Sequence, residues 1–287
     1  MFTLKNGEEM PKLALGTYLA HGEQLFNAVD QALKAGYRSF DTAKYYENEK
    51  ELGDALQKLL PRYNLRSEDL FLTSKIFPYS SRDVIEKIHA DVDESLSFLG
   101  RTYLDLVLVH YPRPLDSSDK DKCNKVYRKR AWNALEQLQK SGKIRSIGVS
   151  NYEIRHIEEM GDYLSIEPTV NQCEYHPHFQ RKPLREYCQK NGILFQAFSP
   201  LGRQNKQLLE DENLLKIARN HATTTATVIL AWIMLGNVGV VAKSVTDSRI
   251  FENFQALKLN IPTETLEKID KLDREQPYVE DNGWECD

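Results

Sequence analysis

The amino-acid sequence predicts an α/β protein, and within that class a closed (β/α)8 barrel, on three observations. Eight apolar runs of strand length alternate with amphipathic helical segments along the whole chain. The runs are continuously apolar, which is typical of strands buried on both faces of a parallel sheet. No Pro-, Gly- or Ser-rich linker divides the 287 residues, so we expect one domain over 1–287. A doubly wound open sheet shares the alternation, but the count of eight favours the barrel.

The elements follow in chain order. A β-hairpin is expected first, because Asn6-Gly7 lies near the centre of FTLKNGEEMPKL and Asn-Gly is a preferred hairpin turn; this hairpin could plug the barrel floor. The predicted strands are LALGTY, RSFDTA, LFLTSKIF, LDLVLVHY, IRSIGVSN, PTVNQCEY, ILFQAFSP and VGVVAKS. The first helix should end before Gly36, a residue type that tolerates positive φ at a C-cap. The predicted helices are 24–35, 48–59, 83–99, 125–140, 153–160, 183–191, 212–235 in two pieces, and 249–257.

Composition and charge exclude several classes of protein. With 41% hydrophobic and 28% charged residues the chain is an ordinary globular protein rather than a disordered one. A net charge of -4 argues against nucleic-acid and anionic-membrane partners, which usually select a basic surface. The N-terminus has no signal-like apolar segment and the longest apolar runs are too short to span a bilayer, so we expect a cytosolic protein. We also expect it to be a monomer. The four cysteines form no CxxC pair and are expected to be free thiols.

Polar side chains follow the predicted strands where a barrel enzyme places its chemistry. Asp41, Lys75 and His110 come directly after apolar runs, and buried charges persist only when they are paired. A lysine held by an aspartate stays charged and can lower the pKa of a neighbouring tyrosine toward neutrality, which makes that tyrosine a usable general acid. A histidine at the next strand end could orient a carbonyl by a hydrogen bond. The pattern predicts proton delivery to a carbonyl that a cofactor reduces.

Several long motifs resemble the aldo-keto reductase superfamily in order and spacing. They are GYRSFDTAKYYENEKELG, FLTSKIF, YLDLVLVHYP, IRSIGVSNY, VNQCEYHP, AFSPLG and VAKSVTDSRIFENF, and they run nearly from end to end. The resemblance implies an (α/β)8 barrel that reduces aldehydes and ketones with a nicotinamide cofactor, usually NADPH. It also implies a catalytic tetrad in which Tyr46 donates the proton, Lys75 depresses its pKa, Asp41 holds Lys75 and His110 positions the carbonyl. Tyr45 then becomes a spacer.

The same resemblance implies the residues that bind the cofactor and the substrate. Ser150, Asn151 and Gln172 match positions that hold the nicotinamide carboxamide, and Phe198 stands where the family usually stacks a tyrosine on the ring. Two cations beside a helix N-terminus form an anion site, which favours NADPH over NADH. No G-x-G-x-x-G occurs, so a Rossmann-type cradle is not expected. The remaining implied cofactor residues are Gly16 and Thr17, Ser199 and Leu201 at the pyrophosphate, Lys243, Ser244, Thr246 and Arg249 at the 2'-phosphate, and Glu252 and Asn253 near adenine; Tyr18, Phe77 and Tyr111, with His110, are expected to line the substrate pocket.

Alternatives of other classes stay open. Some barrels of this superfamily, such as potassium-channel β subunits and certain lens crystallins, serve chiefly as regulatory or structural proteins, and this chain could bind NADPH with little turnover in the same way. An aldolase that uses Lys75 for a Schiff base is disfavoured, because Asp41 should keep that lysine protonated. The HPH segment, His176 to His178, has no third ligand at workable spacing, so we expect a structural loop and no metal site. Trp284 in the C-terminal segment either covers the pocket or belongs to a disordered tail. The substrate could be a small aldehyde, a dicarbonyl such as methylglyoxal, a sugar or a steroid-like ketone.

Overall fold

The computed structural model describes residues 1–280 and 283–287, and a closed barrel of eight parallel strands lies at its centre. Each strand pairs with its neighbours in chain order, and the last pairs with the first. The predicted (β/α)8 barrel is therefore confirmed. The barrel strands are β3 (Leu13–Gly16), β4 (Ser39–Asp41), β5 (Phe71–Ile76), β6 (Leu104–Val109), β7 (Ile144–Ser150), β8 (Val170–Glu174), β9 (Leu194–Phe198) and β10 (Gly239–Lys243).

Helices surround the barrel and agree with the predicted segments to within a few residues at each end. The segment 212–235 is divided as expected, because the Thr224 side chain accepts a hydrogen bond from the backbone of Thr227 and so begins a new helix. Gly36 ends the first helix at φ 110°, as its residue type indicated. The helices, of which α7 and α11 were not predicted, are α1 (Gly22–Ala35), α2 (Glu49–Leu59), α3 (Val84–Leu99), α4 (Asn124–Lys140), α5 (Ile154–Met160), α6 (Lys182–Lys190), α7 (Lys206–Leu209), α8 (Glu212–Asn220), α9 (Thr225–Leu235), α10 (Asp247–Gln255) and α11 (Thr263–Asp270).

The N-terminal hairpin closes the floor of the barrel. Its strands β1 (Phe2–Thr3) and β2 (Glu9–Met10) pair antiparallel, as the Asn-Gly turn predicted. They bring two buried side chains against the barrel strands in a second hydrophobic cluster, formed by Leu4, Met10, Phe71, Leu106, Leu108 and Val170. Packing against this apolar floor leaves the opposite rim as the open end.

Register sets which side chains meet at that rim. Gly16 pairs with Lys243 on one side and with Asp41 on the other, so that the ends of β10, β3 and β4 lie at one level. Ser150 at the end of β7 pairs in the same way with Gln172 on the neighbouring strand β8. Across the described residues, no helix has the length and apolar character needed to cross a membrane. The four cysteines are free thiols, as predicted.

Candidate active site

Three predicted tetrad residues are in direct contact at the rim. Asp41 ends β4, Lys75 lies near the end of β5, and Tyr46 is carried by a short 3-10 helix, Lys44–Tyr46. The Lys75 ammonium forms an ion pair with Asp41 Oδ1, donates to the backbone oxygen of Thr42 at 3.0 Å, and lies 3.2 Å from Tyr46 Oη. All three donor positions of the ammonium are therefore used, one of them on the phenol.

The electrostatics of this cluster differ from the sequence-based expectation at Tyr46. Burial lowers the pKa of Lys75, but Asp41 and then Tyr46 more than offset this, so the net pKa is raised and the ammonium persists. Burial raises the pKa of Tyr46, and although Lys75 opposes it, the net shift is upward. The prediction that the pKa of this phenol moves toward neutrality was therefore wrong for its net direction, because desolvation of the anion outweighs the attraction of one lysine. At neutral pH Tyr46 is a protonated phenol.

His110 completes the group and is electrically neutral. It follows β6, and its ring centroid lies 5.7 Å from that of Tyr46 and 4.7 Å from that of Phe77. Burial, and then the charge of Lys75, hold the pKa of His110 well below its usual range. Its Nδ1 has no hydrogen-bond partner in the described part of the chain. A neutral imidazole has a single N–H to donate, which suits it to orient a polar atom rather than to carry charge.

A buried asparagine fixes the loop that carries Tyr46. The Asn48 amide nitrogen donates to the backbone oxygens of Thr17, at 2.8 Å, and Ala20, at 3.0 Å. Its carbonyl oxygen accepts from the Thr42 hydroxyl at 2.9 Å. These bonds connect the ends of β3 and β4 to the residue directly before α2. From the sequence, Asn48 was interpreted only as the start of a helix. The Asn48-Glu49 pair shortly after the two tyrosines was the signal that could have identified its role.

On the far side of the barrel, two amide side chains are held through their nitrogen atoms. Gln172 donates from Nε2 to Asp41 Oδ2 and to Gln196 Oε1, both at 2.8 Å. Asn151 donates from Nδ2 to the His110 backbone oxygen at 3.0 Å and to Ser150 Oγ at 3.2 Å, while its buried Oδ1 has no partner among the described residues. An orphaned buried acceptor implies an absent donor. A carboxamide NH2 group, as in nicotinamide, fits the Asn151 acceptor.

The opposite end of the cleft is suited to an anion. Lys243 and Arg249 are exposed and line the cleft with Ser244. Arg249 lies in the first turn of α10 and donates to Gln204 Oε1 at 2.9 Å. Two cations at the N-terminal end of a nine-residue helix form an anion site. Thr246, by contrast, is the N-cap of α10 without a side-chain cap bond and does not line the cleft.

A single cavity of about 660 Å³ joins these parts. Apart from Thr246, every predicted site residue lines this cavity except Lys75. Lys75 lies behind Tyr46 and Asp41. The predicted residues that line it are Gly16, Thr17, Tyr18, Asp41, Tyr46, Phe77, His110, Tyr111, Ser150, Asn151, Gln172, Phe198, Ser199, Leu201, Lys243, Ser244, Arg249, Glu252 and Asn253. Sequence reasoning missed Tyr45, interpreted as a spacer, and several loop residues, including Leu19, Arg113, Leu115, Arg203, Gln204 and Val279.

The HPH segment and Trp284 are not part of this site. His176 contacts Glu174 at 3.1 Å, and His178 contacts Asp211 at 3.3 Å, so both rings are used in packing the loop after β8. Within 1–280 and 283–287 no group of three potential metal ligands occurs. Trp284 packs edge-on against Phe179, with ring centroids 5.8 Å apart, and does not line the cavity.

A closed barrel with a lysine joined to an aspartate and a tyrosine at the C-terminal ends of its strands is the arrangement of a barrel enzyme. The Aldo/keto reductase family model matches residues 12–274, and the chain belongs to this family. It is therefore an oxidoreductase.

Comparison with individual relatives supports the same family assignment. The chain is 39% identical to the glyoxal reductase of Bacillus subtilis, with 95% of this chain and 92% of that protein covered. The D/L-glyceraldehyde reductase of Hypocrea jecorina is 35% identical over 98% of this chain and 92% of its own length. The solved aldo-keto reductase AKR2E5 complexed with NADPH superposes with a TM-score of 0.88 at 29% identity, covering 97% of this chain and 89% of the other.

Proposed function

We propose that this chain reduces small aldehydes and dicarbonyls to alcohols with NADPH, and that Tyr46 is the proton donor. The observation that carries the proposal is the contact of the Lys75 ammonium with both Asp41 and Tyr46 Oη at the wall of the cavity. The relatives support the substrate class, since a glyoxal reductase, a glyceraldehyde reductase and a methylglyoxal reductase are among them.

NADPH, when bound, supplies the hydride. Asn151, through its unpaired Oδ1, and Gln172 would hold its carboxamide, and Lys243 and Arg249 would bind its 2'-phosphate. Phe198, which lines the cavity, would supply an aromatic face for the nicotinamide ring. The orphaned Asn151 Oδ1 and the cation pair are the features of this structure that fit the group.

The chain's own residues handle the proton. Tyr46 keeps its proton at neutral pH because burial raises its pKa, and Oη can pass that proton to a carbonyl oxygen that gains negative charge. Lys75 stabilises the tyrosinate that remains, and Asp41 keeps Lys75 charged. Neutral His110 would donate a hydrogen bond to the carbonyl and fix its direction. The monomeric state, the cytosolic location and the lack of a nucleic-acid partner stay predictions.

NADPH oxidation with methylglyoxal, glyceraldehyde and a neutral aromatic aldehyde tests the proposal. We expect turnover with the wild type, and for Tyr46→Phe a loss of kcat of about a hundredfold to ten thousandfold, the usual contribution of a general acid. Tyr103→Phe, directly before β6 at the strand end away from His110, is the matched control and should behave as wild type. Cofactor binding without turnover on any carbonyl would favour the regulatory class instead. Near-normal turnover by Tyr46→Phe would refute the assigned acid.

A further inference from the structure

The part of the cavity next to His110 combines an aromatic wall with one cation. Tyr45 and Phe77 contact edge to face, with ring centroids 5.6 Å apart, and Phe77 packs on His110. Beyond them the loop after β6, residues 110–123, adds Leu115, which is 57% exposed, and Arg113. Both face the same cavity as Tyr46.

Arg113 is held in place before any ligand arrives. Its Nε donates to Asp119 Oδ1 at 2.7 Å and its Nη1 donates to the Pro114 backbone oxygen at 3.0 Å. Its guanidinium lies 5.2 Å from the centroid of the Tyr111 ring. These contacts leave Nη2 without a hydrogen-bond partner in the described part of the chain, although only 23% of the side chain is exposed. A fixed guanidinium with a free N–H edge loses little entropy when it binds a carboxylate.

Asp119 is the carboxylate that pairs with Arg113, through Nε at 2.7 Å, and the described carboxylates that line the cavity itself are engaged elsewhere. Asp41 is engaged by Lys75 and by Gln172, and Glu252 lies on α10 at the other end, hydrogen-bonded by Thr224. A negatively charged ligand would therefore share Arg113 with Asp119 and would bind on its Nη2 side. Arg113 follows His110 by three residues, which places their Cα atoms at most about 10 Å apart. One small molecule can span the two.

Building on the proposed reductase function, we propose that the preferred substrate is a carbonyl compound that also carries a carboxylate, which Arg113 binds while the carbonyl lies at Tyr46 and His110. The apolar part between the two groups packs on Phe77, Tyr45 and Leu115. Neutral aldehydes remain substrates, because the catalytic contacts do not involve Arg113. In this substrate an apolar spacer separates the carboxylate from the carbonyl. A 2-oxo acid, in which the two groups are adjacent, would not fit this description.

A matched pair of aldehydes tests this inference. 4-Formylbenzoate and its methyl ester have the same ring and carbonyl but differ in charge, and kcat/KM with NADPH is measured for both. Because a hydrogen-bonded pair with a charged group is worth more than a neutral one, we expect the wild type to favour the carboxylate by about tenfold or more. Arg113→Gln should abolish that preference through KM, with kcat/KM for the ester within about threefold of wild type. The NADPH dissociation constant should stay unchanged.

Arg203 provides the comparison, since it is another cation of the cavity but lies on the loop after β9, over Tyr18. Arg203→Gln should keep the preference for 4-formylbenzoate. The inference is overturned if the wild type does not distinguish the two aldehydes, if Arg113→Gln lowers both values equally, or if Arg203→Gln removes the preference. Should Arg113→Gln fail to fold, the wild-type ratio and Arg113→Lys decide.

Failure of the reductase proposal gives a different result. It would show as no turnover of either aldehyde, and calorimetric titration of the NADPH complex with 4-formylbenzoate would then still measure the role of Arg113. If the wild-type complex binds 4-formylbenzoate and the Arg113→Gln complex does not, the carboxylate site is supported. If the wild type does not bind it, or if the variant binds it equally well, the inference is overturned.

Discussion

The two ends of this barrel bury opposite kinds of side chain. At the floor, the hairpin brings Leu4 and Met10 onto Leu106 and its apolar neighbours. At the rim, Asp41 and Lys75 are equally buried but ionised, and they persist because every polar atom of the pair has a partner. Burial stabilises the floor directly, whereas at the rim it is tolerated only through pairing. The floor therefore provides stability and the rim provides chemistry, as in other barrels of this type.

The largest effect is expected from breaking the buried ion pair. Lys75→Met leaves Asp41 charged with Gln172 as its remaining partner, so the free energy of unfolding should fall by about 3–5 kcal/mol and turnover should be lost. Denaturant unfolding and NADPH oxidation measure the two effects. The double variant Asp41→Asn/Lys75→Met should recover most of the stability and none of the activity. A double variant as unstable as the single one would contradict this account of the rim.

At the floor the same logic predicts a loss of stability without a loss of chemistry. Leu106→Ala removes a fully buried side chain from the cluster below the site and should cost about 2–4 kcal/mol of unfolding free energy. Because the rim residues are untouched, kcat should stay within about twofold of wild type under folding conditions. A large change in kcat at unchanged stability would show that floor and rim are coupled.

Acid should weaken the fold through two neutral histidines. Burial holds the pKa of His110 well below its usual range and that of His156 at about 4. Between about pH 6.5 and those values the unfolded chain binds protons that the native chain does not, so stability falls as the pH falls, by about 1.4 kcal/mol per pH unit for each histidine.

The variant His156→Gln isolates one of these contributions. In the wild type, Nδ1 of His156 accepts a hydrogen bond from the backbone N–H of Glu153 at 3.0 Å, and Nε2 contacts the backbone oxygen of Cys286 at 2.8 Å. Only the neutral ring can make both contacts. His156→Gln should therefore flatten the dependence of unfolding free energy on pH between 7 and 5, whatever it costs at pH 7. Urea unfolding at three pH values measures the slope, and an unchanged slope would refute the assignment.

The smallest effects are expected at Tyr45, on the wall of the cavity. Its side chain is 54% exposed and contributes its ring to Phe77, so Tyr45→Phe should change kcat/KM by less than about twofold. Tyr45→Ala removes the ring and should raise KM severalfold with kcat nearly unchanged. The contrast with Tyr46→Phe tests which of two adjacent tyrosines acts as the acid, and a large loss of kcat in Tyr45→Phe would reverse the assignment.

Much of the fold and of the acid–base group was predictable from sequence. The continuous apolar strands and the polar residues that end them follow from local periodicity, and in a barrel all strand ends meet at one rim whatever the loops do. For this reason Asp41, Lys75 and His110 could be grouped before any coordinates. The choice of Tyr46 over Tyr45 came from the motif resemblance, and the structure agrees in placing Tyr46 Oη, not Tyr45, at Lys75.

Other features depended on side-chain directions and loop paths that periodicity does not encode. The Asn48 hydrogen bonds, the Gln172–Gln196 contact and the cavity position of Arg113 each join residues whose relation is visible only in three dimensions. The net pKa of Tyr46 belongs here as well, because it is a balance between desolvation and one charge.

By itself, the sequence determined the order of strands, the polar rim and the identity of the charged pair, because hydrophobic period and local residue type carry that information. Tertiary structure decided how deeply each group is buried and which polar atoms find no partner among the described residues, Asn151 Oδ1 and Arg113 Nη2 above all. Burial and pairing are properties of surroundings assembled from distant segments, so they arise only when the barrel closes.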